Sequence, residues 1–171
     1  LQNLVATETR AAQLKKDSQG FPAITLTQRQ LCDLELLMSG AFSPLSGFMI
    51  REAYESVLEK MRLPNGLLWS MPISLDVPDT VADKLESGGY LGLNDPEGFM
   101  LSVLRVADKW KPDKKREAQL VYGTDSRSHP GVRFLFEQVH GNYIGGEIEG
   151  IQPPMHYDFE TLRDTPEELR H

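Results

Sequence analysis

The stretch SGAFSPLSGFM, Ser39 to Met49, follows directly on a leucine-rich run and decides how this chain is read. Two phenylalanines, a leucine and a methionine around a Ser-Pro step are more apolar mass than a solvated loop needs. The composition predicts a loop with packed apolar side chains, and with Gly40 and Gly47 where the backbone turns or passes closely. Upstream, Thr27-Gln28-Arg29-Gln30 has the spacing of a capping box, in which threonine and glutamine side chains satisfy free backbone N–H groups reciprocally. Leu31, Leu34, Leu37 and Met38 then recur on one helical face, and Gly40 ends the helix. Pro44 keeps Ser43 out of helical geometry. Tyr54, Val57, Leu58 and Met61 predict a second amphipathic helix, with Arg51, Glu52, Glu55, Glu59 and Lys60 on its wet side. Phe42, Leu45, Phe48 and Met49 read as packing residues. The same segment is a candidate to face a neighbouring domain and leave an apolar patch.

Length and composition bound the rest. The 171 residues make one domain, or one domain with an arm, and 40% apolar residues suffice for its core. Fourteen glycines and eleven prolines imply many turns. A net charge of -7 argues against a primary role on nucleic acid or an anionic membrane. Cys32 is the only cysteine, so no intrachain disulfide can form, and its place in the leucine helix predicts a buried or half-buried side chain. No apolar run approaches a membrane span, which gives the expectation of a soluble, cytoplasmic protein.

Along the chain, residues 1–20 read as an arm with a short helix, and Phe21 to Leu26 as extended. Leu67 to Val77 reads as short strand around Pro72, and Asp79 to Leu85 as a helical turn. Tyr90 to Leu93 is a strand ending at Asn94-Asp95-Pro96-Glu97-Gly98. Phe99 to Ala107 is the clearest buried strand. Lys111 to Gln119, dense in charge, reads as a solvated helix. His129-Pro130 opens a helix through Val139, and His140 is a candidate cap for its C-terminus. Asn142 to Ile151 reads as strand, with Gly145, Gly146 and Gly150 as bulges or turns. Thr165-Pro166-Glu167-Glu168 has the pattern of a capped helix start, which gives the expectation that the chain continues. Spacing and composition alone support an α+β, β-rich fold with peripheral helices.

At these residues the sequence resembles the N-terminal part of the ATP sulfurylase (sulfate adenylyltransferase) family. The resemblance runs through Leu31 to Met38, FSPLSGFM at Phe42 to Met49, and MRLPNGLLWSMPISLDV at Met61 to Val77. It continues through VYGTDSRSHPGV at Val121 to Val132, YIGGEIEGI at Tyr143 to Ile151, and YDFETLRDTPEELR at Tyr157 to Arg170. It implies a PUA-like pseudobarrel at 21–156, preceded by the arm at 1–20. Residues 157–171 would begin the linker and first helix toward a catalytic domain. That domain of the same chain would be its partner. The family enzyme joins ATP and sulfate, with Mg2+, into adenosine 5'-phosphosulfate and pyrophosphate. The resemblance also leaves room for a homo-oligomeric parent.

The family's usual catalytic signatures, Gln-x-Arg-Asn-Pro and His-x-x-His or His-x-Gly-His, do not occur here. Neither do the glycine-rich phosphate loops GxxxxGK[ST] and GxGxxG. The resemblance therefore assigns no catalytic, cofactor-binding or metal residue to this stretch. Arg127, Ser128 and His129, with Ser126, are the most polar cluster beside a helix start. They are candidates for an accessory anion or interdomain contact; a helix cap in an exposed loop is the plainer reading. Asp76, Asp79, Asp108 and Asp113 read as surface aspartates rather than acid–base pairs. A stand-alone PUA-like binding module, for RNA, is the alternative function, and a ligand-free structural remnant a third.

Overall fold

Thr27 caps its helix as the spacing predicts. Its Oγ1 accepts from the Gln30 N–H at 3.4 Å and its own N–H donates to Gln30 Oε1 at 2.9 Å. In chain order the elements are α1 (Glu8–Asp17), β1 (Ala23–Thr25), α2 (Gln28–Met38), β2 (Gly47–Phe48), α3 (Arg51–Lys60) and β3 (Leu75–Val77). There follow α4 (Asp79–Ala82), β4 (Tyr90–Asn94), β5 (Met100–Trp110), α5 (Lys114–Tyr122), α6 (Pro130–Glu137) and β6 (Asn142–Gly150). The computed structural model describes residues 1–170. Six helices and a mixed six-stranded sheet make the α+β class.

The chain divides into two compact units. The first comprises Leu1–Gly47, Gly88–Val106 and the described residues from Gly146 onward. The strand order in the sheet is β1-β4-β5-β6-β2. β1 pairs parallel with β4, and β4 antiparallel with β5. Leu34, Leu37, Leu91, Leu93 and Leu104 are fully buried here. The N-terminal residues join this unit: the Ala6 N–H donates to the Gly150 carbonyl, the Gly150 N–H to the Leu4 carbonyl, both at 2.8 Å. Leu14 of α1 packs with Val103 and Ile151. Arg10 grips Glu149 through two hydrogen bonds, 2.6 and 2.8 Å, and this contact holds the carboxyl below its usual range.

Gly40 ends α2 with φ +82°, and a Cβ there would lie 2.6 Å from the Gln2 carbonyl oxygen, so both its conformation and its space require glycine. Cys32 is exposed, contrary to the expectation. The buried face of α2 is Gln30, Leu34, Leu37 and Met38, which turns position 32 outward.

The second unit comprises Phe48–Ser87 and Ala107–Gly145, with β3 antiparallel to β6. Phe48 and Met49 are 1% and 2% exposed, so the loop packs as its composition predicts. Phe42 and Leu45 are half-buried, and the expected apolar patch is not formed by this segment. Gly145 lies within β6, where a Cβ would collide with the Met49 carbonyl and the Ile50 backbone. The glycine allows this close approach. Ala118 of α5 packs with Val132 and Leu135 of α6.

Two further expectations change with burial. Asp76, read as a surface residue, is 4% exposed and accepts from the His140 N–H at 2.8 Å. Glu117, read as part of a solvated helix, is 8% exposed. α6 is closed by the Gln138 N–H donating to Phe134, so His140 is not its cap.

Candidate functional site

The cluster the sequence singles out sits where α6 begins. Ser126, Arg127, Ser128 and His129 are all exposed. His129 Nδ1 accepts from the Gly131 N–H at 3.2 Å, so the imidazole takes up one of the helix's free donors. Pro130 at the first helical position supplies no N–H. The Ser126 and Ser128 hydroxyls share a 2.8 Å hydrogen bond. The Arg127 guanidinium, in the loop before α6, lies 5.2 Å from the centroid of the Phe136 ring on that helix, a cation–π contact. The structure thus brings the three residues together in one turn, with each side chain held by a local partner.

A second polar group lies inside the same unit, unmarked by any motif. Tyr54 of α3 and Tyr143 of β6 both donate to Glu117 Oε2, at 2.9 and 3.0 Å. Trp110 completes an aromatic cage, with ring centroids 5.5 Å from Tyr54 and 5.8 Å from Tyr143. Burial first, and then the Glu117 charge, push both phenols far above their ordinary range. They stay protonated as donors to a carboxylate and are unsuited to act as bases or nucleophiles. Lys114, on the same helix, donates to the Val139 carbonyl. Partial burial lowers its pKa, while Asp76 and Glu117 oppose that shift. The group joins α3, α5 and β6.

In the first unit a groove of about 470 Å³ is lined by Lys15, Phe21, Phe99, Met100 and Gln152, among others. Lysine is its only ionisable lining residue, and Lys15 donates to Gln152 at 2.9 Å. Among the described residues no group of three His, Cys, Asp or Glu side chains could hold a metal ion. Four arginines, Arg10, Arg29, Arg116 and Arg163, each hold a carboxylate within 2.8 Å. No described helix is long and apolar enough to cross a membrane.

The family model of a PUA-like domain matches residues 1–153. The chain belongs to the PUA-like domain family. This PUA-like domain is 47% identical to a sulfate adenylyltransferase of Aspergillus fumigatus over 99% of its own length and 30% of that protein's. It is 43% identical to a sulfate adenylyltransferase of Eremothecium gossypii, over 99% of its length and 34% of the relative's. Among solved structures it is similar to a hexameric APS kinase from Thiobacillus denitrificans, with TM-score 0.77 and 34% identity, over 99% of this chain and 29% of that one. The PUA-like domain spans about a third of the length of the curated relatives it matches.

The buried Glu117 group escaped the sequence reading because a glutamate inside Lys-Lys-Arg-Glu looks solvated. The one available signal was the neighbouring Ala118, the only alanine of that helix.

Proposed function

We propose that the chain is the N-terminal supporting domain of a sulfate adenylyltransferase, the enzyme that joins ATP and sulfate into adenosine 5'-phosphosulfate and pyrophosphate. The observation that carries this is identity of 47% across 99% of the chain to an enzyme of that name more than three times as long. Attack of sulfate on the α-phosphorus spreads charge over phosphoryl oxygens, which needs preorganised cationic and N–H donors. ATP, sulfate and Mg2+ are accordingly assigned to the remaining, catalytic region of the same polypeptide. Support for that division comes from the missing signature motifs and from arginines already committed to carboxylates.

The supporting role is mechanical: a domain that positions its neighbour. Arg127, Ser128 and His129 are assigned a contact with that region or an accessory anion, not the chemistry itself. Their exposure on one turn supports this, and an unchanged sulfate KM in full-length Arg127→Ala would remove the anion role. A cytoplasmic, homo-oligomeric parent belongs to the same proposal; a hexameric structural relative supports the oligomer. The test is sulfate- and Mg2+-dependent exchange of labelled pyrophosphate into ATP by the full-length protein. Exchange is expected; its absence from a folded full-length protein rejects the assignment.

A further inference from the structure

The exposed apolar surface that the sequence placed near residues 42–49 lies instead on the hairpin after α3. Met61 closes that helix in the left-handed region, and the chain turns back at once. The Leu63 N–H donates to the Leu67 carbonyl and the Trp69 N–H to the Met61 carbonyl, both at 2.9 Å. Arg62 Nη1 donates to the Gly66 carbonyl at 2.9 Å, and Ser56 Oγ to the Arg62 carbonyl at 2.8 Å. The hairpin is therefore tied to itself and to its helix. Yet it leaves Met61 57%, Leu67 51%, Leu68 70% and Met71 48% exposed. Arg62 is the only charged residue between Lys60 and Asp76, in a chain where 25% of residues are charged. A braced, nearly uncharged backbone that presents four large apolar side chains has the character of an interface.

We infer that the hairpin at residues 61–71 is a preformed docking surface for an apolar face of the catalytic region of the same polypeptide. The inference rests on the assignment to sulfate adenylyltransferase. Relatives in which this chain makes up 30% and 34% of the length both carry it nearly whole. In each, the larger remainder is covalently joined, which gives it an effective concentration in the millimolar range for a short linker. A second copy must meet the surface by diffusion, against the self-repulsion of a chain with net charge -7. The preformed backbone means that docking orders side chains only, so little of the contact energy is spent on folding the loop.

The methionines make the test direct. Peroxide oxidation followed by mass spectrometry reads the exposure of each thioether. In the isolated chain, Met61 and Met71 should oxidise quickly, while Met38 and Met49, each 2% exposed, should oxidise slowly. In the full-length enzyme, Met61 and Met71 should slow by about ten-fold or more at every protein concentration, as burial of a thioether requires. Equal rates in the two proteins overturn the inference. Protection that appears only as concentration drives self-association overturns it in favour of a second copy. Leu68→Asp, at an exposed position, should leave the Tm of the isolated chain unchanged and restore fast oxidation in the full-length protein; continued protection counts against docking. Pyrophosphate exchange is measured on the same full-length sample. An inactive, folded sample rejects the functional assignment, whereas an active one with unprotected methionines rejects only the docking.

Discussion

Glu117 draws two phenol hydroxyls onto one carboxylate oxygen, and that arrangement has a pH signature. The unfolded chain ionises Tyr54 and Tyr143 near their ordinary 10.0, while the native state keeps both protonated beyond that. Above pH 10 the unfolded state thus binds fewer protons, and stability falls as pH rises; below pH 10 the contribution is fully present. Two groups give a slope of about 2.7 kcal/mol per pH unit. Denaturant unfolding between pH 10 and 11.5 should show this loss, and Tyr54→Phe should remove about half of the tyrosine part. Phenolate absorbance near pH 10 in the still-folded protein would contradict it. Phe48, 1% exposed, is the second residue-scale test. Phe48→Ala should cost about 3–5 kcal/mol in chemical denaturation, from lost transfer energy and the cavity left behind. Phe48 was legible because an aromatic in a glycine-flanked loop has little reason to be wet. Glu117 and Asp76 were not, because a buried carboxylate is defined by partners distant in sequence: Tyr143 for one and the His140 N–H for the other.

The helices and strands were legible wherever local chemistry decides them. Thr27 and Gln30 form the predicted box, and Thr165 and Glu168 bond reciprocally at 2.7 and 3.3 Å, whereas the Asp113 cap of α5 reads in the sequence as an ordinary surface aspartate. Thr27→Ala should therefore lower stability by about 1 kcal/mol, read as a shift in the urea midpoint without a change in m-value. The close approach at the β6 glycines was not legible, because local sequence cannot report what comes near from elsewhere. Gly145 faces the backbone of Met49 and Ile50, so Gly145→Ala should destabilise by about 1–3 kcal/mol or more through overpacking. A midpoint within experimental error of the wild type would show that the approach relaxes freely. Cys32 was misread by one position of helical phase, since it shares a leucine-rich run but not its buried face.

For the whole molecule, the family model ends at residue 153, while similarity to sulfate adenylyltransferases extends over 99% of the chain. Residues 154–170 thus lie outside the matched PUA-like domain. Met155, Tyr157, Phe159, Leu162 and Leu169 there are 70–74% exposed. Two side-chain contacts hold the start of this segment: His156 Nε2 lies 2.6 Å from Glu35, and the Tyr157 hydroxyl donates to Glu97 at 3.1 Å. The absence of signature motifs was legible directly, and so was the ordered resemblance along the chain. The surface available to a neighbour was not, because exposure depends on which apolar residues the fold has already used. The most direct test of the central claim is ATP formation from adenosine 5'-phosphosulfate and pyrophosphate, with Mg2+, by the purified 171-residue chain beside the full-length protein. The account predicts turnover only in the full-length protein. Reproducible turnover by the short chain, freed of contaminating enzyme, would place chemistry in this domain and contradict it.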